Sequence, residues 1–277
     1  MFTETKWTIL GCALALPILT SSAGAWQLRL YDNFSSKHID PSKWVGEPAS
    51  IAGGSDKDRR EVTVELSGAG AARHLHIAEN TYSDVTDNNG ASGTGFGLGF
   101  AEPSKVTAVS FTLVVNEEQS VGCANNNNAA FGVAGFFGEY FNPTGAQDGQ
   151  TGDIVASIAV SRFSSDGGTA LDVGGSIAQC ADPTCNNQTT LSFQDFGLVQ
   201  PGSKNTLSLW WDRPNHRFVF RLNNNPPVPV TYTVSDSFPP GLADRSFFVF
   251  GDVPHCTTKP RPFASIDAFF DNVYVNR

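Results

Sequence analysis

Asn205-Thr-Leu-Ser-Leu-Trp-Trp-Asp-Arg-Pro-Asn-His-Arg-Phe-Val-Phe-Arg-Leu-Asn223 reads as two antiparallel strands around a polar turn. Side chains alternate between the faces of a strand. Leu207, Leu209 and Trp211 therefore share one face of the first strand, and Phe218, Phe220 and Leu222 one face of the second. Trp210, Arg217, Val219 and Arg221 fall on the other face. A tryptophan among arginines is unusual on a plain solvent face, so the hairpin predicts a sheet core on one side and a candidate contact surface on the other.

Working outward, period-two runs recur along the chain. Strands are expected at Trp26–Phe34, Glu61–Leu66, Arg73–Ala78, Lys105–Val115, Ala129–Phe137, Asp153–Phe163, Ala170–Ala178, Val228–Val234, Ser246–Val253 and Ala264–Val275. No convincing helix follows the N-terminal segment. With 27 Gly and 16 Pro among 277 residues to supply turns, many short strands argue for a sandwich or barrel. Ser83–Ser92 and Asn125–Asn128 read as polar loops. Gly93–Gly99, alternating Gly with larger residues, reads as a third loop; no helix follows it, so it is not a phosphate loop. Asn223–Pro229 cannot continue a central strand.

The formal net charge of -9 opposes a phosphate backbone, which excludes nucleic acid as an expected partner. No basic run suits an anionic membrane surface. Lys6, the apolar run Trp7–Leu19 and Ala23-Gly24-Ala25 together read as a signal peptide. Cleavage is expected after Ala25, leaving residues 26–277 as one domain. Ile9-Leu10-Gly11-Cys12 loosely resembles a lipobox, but Cys12 lies within the apolar run rather than after it. No later stretch is long and apolar enough for a transmembrane helix. An exported chain meets an oxidising compartment, so the even set Cys123, Cys180, Cys185 and Cys256 is expected to form two disulfides. Cys180 and Cys185 flank a turn sequence and pair with each other; Cys123 and Cys256 close a long loop. A four-cysteine zinc site ranks below this, for want of a Cys-x-x-Cys pair.

Leu30-Tyr31-Asp32-Asn33-Phe34 with Ile39-Asp40-Pro41-Ser42-Lys43-Trp44, the Trp210–Asn223 hairpin, and Phe269-Phe270-Asp271-Asn272-Val273-Tyr274-Val275 together resemble the opening, a strand pair and the closing strand of the concanavalin A-like lectin/glucanase superfamily. The resemblance implies an all-β jelly roll of two antiparallel sheets, one curved around a groove, with carbohydrate as the commonest ligand. It also suggests a structural calcium at Asp271, with Asp32 or backbone carbonyls near Trp44–Glu47 completing an oxygen shell. A polar bulge residue capped by neighbouring amides is the competing reading of Asp271. No other cofactor is implied.

The catalytic motifs of that superfamily are missing. Family 16 glycoside hydrolases carry Glu-x-Asp-x-x-Glu on one strand, placing acid and nucleophile about 5 Å apart. No glutamate follows Glu139, and Asp153 is the single acid of Asp153–Phe163. Arg59-Arg60-Glu61-Val62-Thr63 faintly resembles a strand of family 7 alginate lyases, whose other two motifs are absent. In that reading Arg59 would neutralise a uronate, and Tyr140 or His216 would abstract the proton. His74 and His76 share a strand face with no carboxylate third ligand evident in sequence. The ligand-binding candidates are thus Trp210 as a stacking surface, Arg217 and Arg221 as hydrogen-bond donors, and Tyr140 near a loop. The expectation is a secreted carbohydrate-binding sandwich without a catalytic motif. Its alternatives are a polysaccharide-degrading enzyme, a lyase before a hydrolase, and a surface interaction module with no sugar ligand.

Overall fold

The computed structural model describes residues 27–46, 49–54, 58–86, 91–124, 129–145, 148–257 and 259–276. The expected signal peptide and the Asn125–Asn128 tract lie outside the described residues. Sixteen described strands, numbered in chain order, form two antiparallel sheets. The nine-stranded sheet runs β14 (Val228–Thr231), β13 (Arg217–Leu222), β12 (Asn205–Asp212), β7 (Ala108–Val121), β16 (Phe263–Val275), β5 (His74–Ser83), β4 (Asp58–Ser67), β3 (Ala49–Gly54), with β1 (Arg29–Asp32) also on β16. The seven-stranded sheet runs β11 (Gln188–Val199), β10 (Leu171–Cys180), β9 (Ile154–Phe163), β8 (Phe131–Phe141), β15 (Arg245–Pro254), β6 (Ala91–Phe100), β2 (Trp44–Val45). The molecule is the jelly-roll sandwich that the sequence resembles. Helix is confined, among the described residues, to three 3-10 turns.

Alternation sorts the core as expected. Leu207, Leu209, Phe218 and Phe220 are fully buried between the sheets, as are Phe111 and Phe270 of the nine-stranded sheet and Phe136 and Phe247 of the seven-stranded one. Phe247 bridges the layers, its ring centroid 4.8 Å from Phe111 and 5.1 Å from Phe270. Each such ring contributes about 1.5–3 kcal/mol by leaving water. The β12–β13 turn is held by Asp212, which accepts from Asn215 Nδ2 at 2.9 Å and Arg217 Nε at 2.6 Å. His216 closes that turn in the left-handed region, φ +47°.

Both disulfides join the expected partners, Cys123–Cys256 and Cys180–Cys185. Cys123 follows β7 and Cys256 follows β15, so the first staples one sheet to the other.

Two expectations fail. Gly93–Gly99 is not a loop but most of strand β6. Its glycines occupy the outward positions, while Leu98 and Phe100 are buried in the core. The run is therefore amphipathic with an outer face of hydrogen atoms, a pattern that propensity reads as turn. Strand β11 was not expected at all; its polar run Gln188–Thr190 and its edge position dilute the alternation.

Candidate functional site

Strand register lays the outer face of the seven-stranded sheet out in rows that cross the strands. The first row holds Phe163, Phe131, Asp252 and Gly93 on β9, β8, β15 and β6. The next runs Leu198, Asp172, Ser161, Val133, Phe250, Gly95 from β11 to β6. The third runs Asp195, Gly174, Ala159, Gly135, Phe248, Gly97. The fourth runs Phe193, Ser176, Ser157, Phe137, Ser246, Gly99. Gly174, Ala159 and Gly135 leave the middle of the third row, between Asp195 and Phe248, with little side chain of its own, a shallow trough whose Gly174 end the Phe193 ring overhangs. Five inter-strand steps of about 4.8 Å make each of the three six-member rows roughly 24 Å long.

Aromatic rings stand around the trough: Phe248 in its row, Phe250 and Phe193 in the rows on either side, and Phe131 and Phe163 one row beyond Phe250. Phe131 lies 5.0 Å from Phe163 and 5.6 Å from Phe250, centroid to centroid. Phe163 is 41% exposed and Phe193 is 64% exposed. Glycine makes this possible. The Phe193 ring occupies the space beside Gly174 where a Cβ would stand, its Cε2 2.6 Å from that position. Phe250 leans over Gly95 in the same way, at 3.3 Å. The polar groups among them are the hydroxyl pair Ser157–Ser176 at 2.8 Å and the carboxylates of Asp172, Asp195 and Asp252.

One end of this face is roofed. The Cys180–Cys185 disulfide packs with Val155, Ala178 and Phe137. The Gln150 amide donates to Pro183 O at 3.0 Å and the Gly152 amide to Cys180 O at 2.8 Å, which ties a second loop to the first. Asp153 accepts from Asn142 Nδ2 at 2.8 Å and from the Gly241 amide at 2.8 Å. Beneath the roof Glu139 is fully buried, accepting from Gln150 Nε2 and the Asp244 amide. Burial pushes its carboxyl up to about 8, against the Asp244 amide bond and aided by the charge of Asp153. Such an acid holds its proton at neutral pH, but no substrate reaches it in this conformation.

The sequence-nominated residues lie elsewhere. Trp210, Arg217 and Arg221 sit on the outer face of the nine-stranded sheet, on the far side of the molecule from the trough. Trp210 is only 8% exposed, so its ring offers little surface to a ligand. Arg217 is held by Asp212, and Arg221 is half-buried. Tyr140, expected near a loop, is 3% exposed in the core. Its ring lies 4.9 Å from Phe218 and 4.4 Å from the Arg245 guanidinium, and burial pushes its hydroxyl up to about 12. The bulge between Glu139 and Phe141 keeps both Tyr140 and Phe141 in the core, which simple alternation does not anticipate. The lyase set is not assembled either. Arg59 lies over Tyr82 on β4, His216 sits at the β12–β13 turn paired with Asp236, and β12, β7, β16 and β5 separate the two strands.

Asp32 accepts from the Phe34 amide at 2.8 Å and Trp44 Nε1 at 2.9 Å. Asp271, at a register shift, accepts from the Asn272 amide at 2.7 Å and Asn272 Nδ2 at 2.8 Å. Both carboxylates are thus engaged by protein donors. Among the described residues, no group of three or more His, Cys, Asp or Glu side chains is arranged to hold a metal ion. His74 lies 3.4 Å from Asp271. His76 does have carboxylate neighbours, Glu65 at 3.2 Å and Asp267 at 3.4 Å, brought by β4 and β16 from distant sequence.

No protein-family model and no curated protein matches this sequence. Solved structures do resemble it. An alginate lyase from Klebsiella pneumoniae aligns at 11% identity over 88% of this chain and 99% of that one, TM-score 0.42. A family 16 endo-glucanase from Bacteroides ovatus aligns at 11% identity over 88% and 97%, TM-score 0.40. A GlcNAcα1-4Gal-releasing endo-β-galactosidase from Clostridium perfringens aligns at 10% identity over 90% of this chain, TM-score 0.36; this chain spans 64% of its length. These are likenesses of architecture, and no activity passes from those proteins to this chain.

Proposed function

We propose that this chain is an exported jelly-roll protein that binds carbohydrate, without cleaving it, across the outer face of its seven-stranded sheet. The observation that carries the reading is the contact run Phe163–Phe131–Phe250, which leads from the first row to the row bordering a trough of Gly and Ala. Phenyl faces stack on the apolar C–H faces of sugar rings, and the small side chains let a ring approach the sheet. The Ser157–Ser176 hydroxyls and the Asp carboxylates supply partners for sugar hydroxyls. Two disulfides suit an exported protein.

Binding without cleavage is supported by the missing glutamate motif and by the enclosure of Glu139. The test is a glycan array run beside two cleavage assays, one for new reducing ends and one for ultraviolet-absorbing unsaturated ends. Binding that is lost in Phe163→Ala, with neither product formed, is the expected result. Reducing ends would establish a hydrolase and unsaturated ends a lyase; silence in all three assays would leave an interaction module with no sugar ligand.

A further inference from the structure

Resting on that carbohydrate-binding reading, we propose that the trough takes glycans bearing no anionic group and rejects uronate and sulfated polymers. The argument is one of charge. On the rows around the trough, every ionisable side chain is an aspartate: Asp172, Asp195 and Asp252. No Lys, Arg or His occupies an outward position of those rows. The nearby arginines are turned away or committed: Arg162 points inward to Glu118 at 3.0 Å, and Arg245 is 2% exposed.

The carboxylates are also crowded. Burial, with the charges of Asp166 and Asp195, holds the Asp172 carboxyl above its ordinary range. Asp172 and Asp195 on neighbouring strands already repel each other, and an acidic sugar laid along them adds to that repulsion, while His255 offsets part of the charge of Asp252. At contact distances one unscreened pair of like charges changes affinity on the order of tenfold. An uncharged glycan meets the same carboxylates as hydrogen-bond acceptors for its hydroxyls. The outer face of the nine-stranded sheet, by contrast, pairs Arg59 with Glu61, His74 with Asp271, His76 with Glu65 and Asp267, and Arg217 with Asp212, so its charges are of both signs, whereas those of the trough rows are of one.

The experiment is calorimetric titration of the disulfide-bonded chain with neutral, uronate and sulfated oligosaccharides of matched length, at low and at physiological salt. Neutral oligomers are expected to bind, and acidic ones to bind at least about tenfold more weakly, with the gap shrinking as salt rises. The double variant Asp172→Asn/Asp195→Asn should narrow the ratio of neutral to acidic affinity by about tenfold, whatever it does to either affinity alone, and an unchanged ratio would overturn the proposal. Acidic oligomers binding as tightly as neutral ones, with sensitivity to Phe163→Ala, would overturn the proposed class and leave carbohydrate binding intact. Failure of all three sets to bind would overturn both the class and the reading beneath it.

Discussion

On the outer face of the nine-stranded sheet, His76 stacks on Phe269 at 4.6 Å and lies between Glu65 and Asp267. On the outer face of the seven-stranded sheet, Phe131 lies between Phe163 and Phe250 with its ring tilted to both, and glycines stand where long side chains would be. The same alternation built both. In the first, long charged side chains find partners on neighbouring strands and leave few unmet contacts. In the second, apolar rings lie on bare backbone with a face toward solvent, and nothing in the described chain covers them. The comparison teaches that a charged, aromatic-rich face is not automatically the binding face. What counts is which face still has contacts to make.

The largest expected effect tests what holds the two faces together. Cys123–Cys256 links the sheets across a separation of 133 residues. Replacing both cysteines with Ala should cost about 5 kcal/mol in the chain-entropy model, read as a loss in chemical-denaturation midpoint. The local Cys180–Cys185 bridge should cost about half as much by the same relation. Equal losses would mean that the first bridge is not the inter-sheet staple.

Next comes the roof over the seven-stranded face. The Glu139 carboxyl is raised above its unfolded value of 4.5 to about 8. The folded state therefore holds a proton that the unfolded state releases. Its contribution to stability is complete below about pH 4.5 and is lost as pH rises through 8. Glu139→Gln should flatten thermal stability across that window, and an unchanged slope would show that Glu139 is ionised in its enclosure. Phe163→Ala comes third. It should weaken glycan binding by about tenfold, the size of one aromatic contact, with little change in melting temperature because the ring is 41% exposed.

On the opposite face the effects shrink. Asp267, then Glu65, holds His76 protonated to a higher pH than usual, against burial. That contribution is present below about pH 6.5 and fades as pH rises through the raised value. His76→Asn should remove a slope worth about 1 kcal/mol or less, as expected for a partly exposed pair. Trp210→Ala should leave glycan affinity unchanged, whatever it does to stability. A tenfold loss there would move the site to the nine-stranded sheet and reverse the comparison.

Much of this molecule was legible in the order of its residues. Strand alternation put Leu207, Leu209, Phe218 and Phe220 on the core side of their hairpin, and the cysteine positions paired both disulfides. The period-two pattern is local, and burial enforces it, so it reads directly from the chain. The candidate site was not legible in the same way. Gly93–Gly99 signals a loop to propensity, and its meaning as a flat floor exists only once Asp252 and Phe250 of β15 lie beside it. Phe131, Phe163 and Phe250 come from three separate runs, and only strand register brings them into contact. Trp210 drew attention through its neighbours in sequence, whereas its accessibility depends on neighbours in space. Sequence determined which residues face in or out of each strand, because that alternation is a property of the backbone. Tertiary structure decided which outward face remains open, because that depends on how distant strands fill, pair or leave bare one another's surfaces.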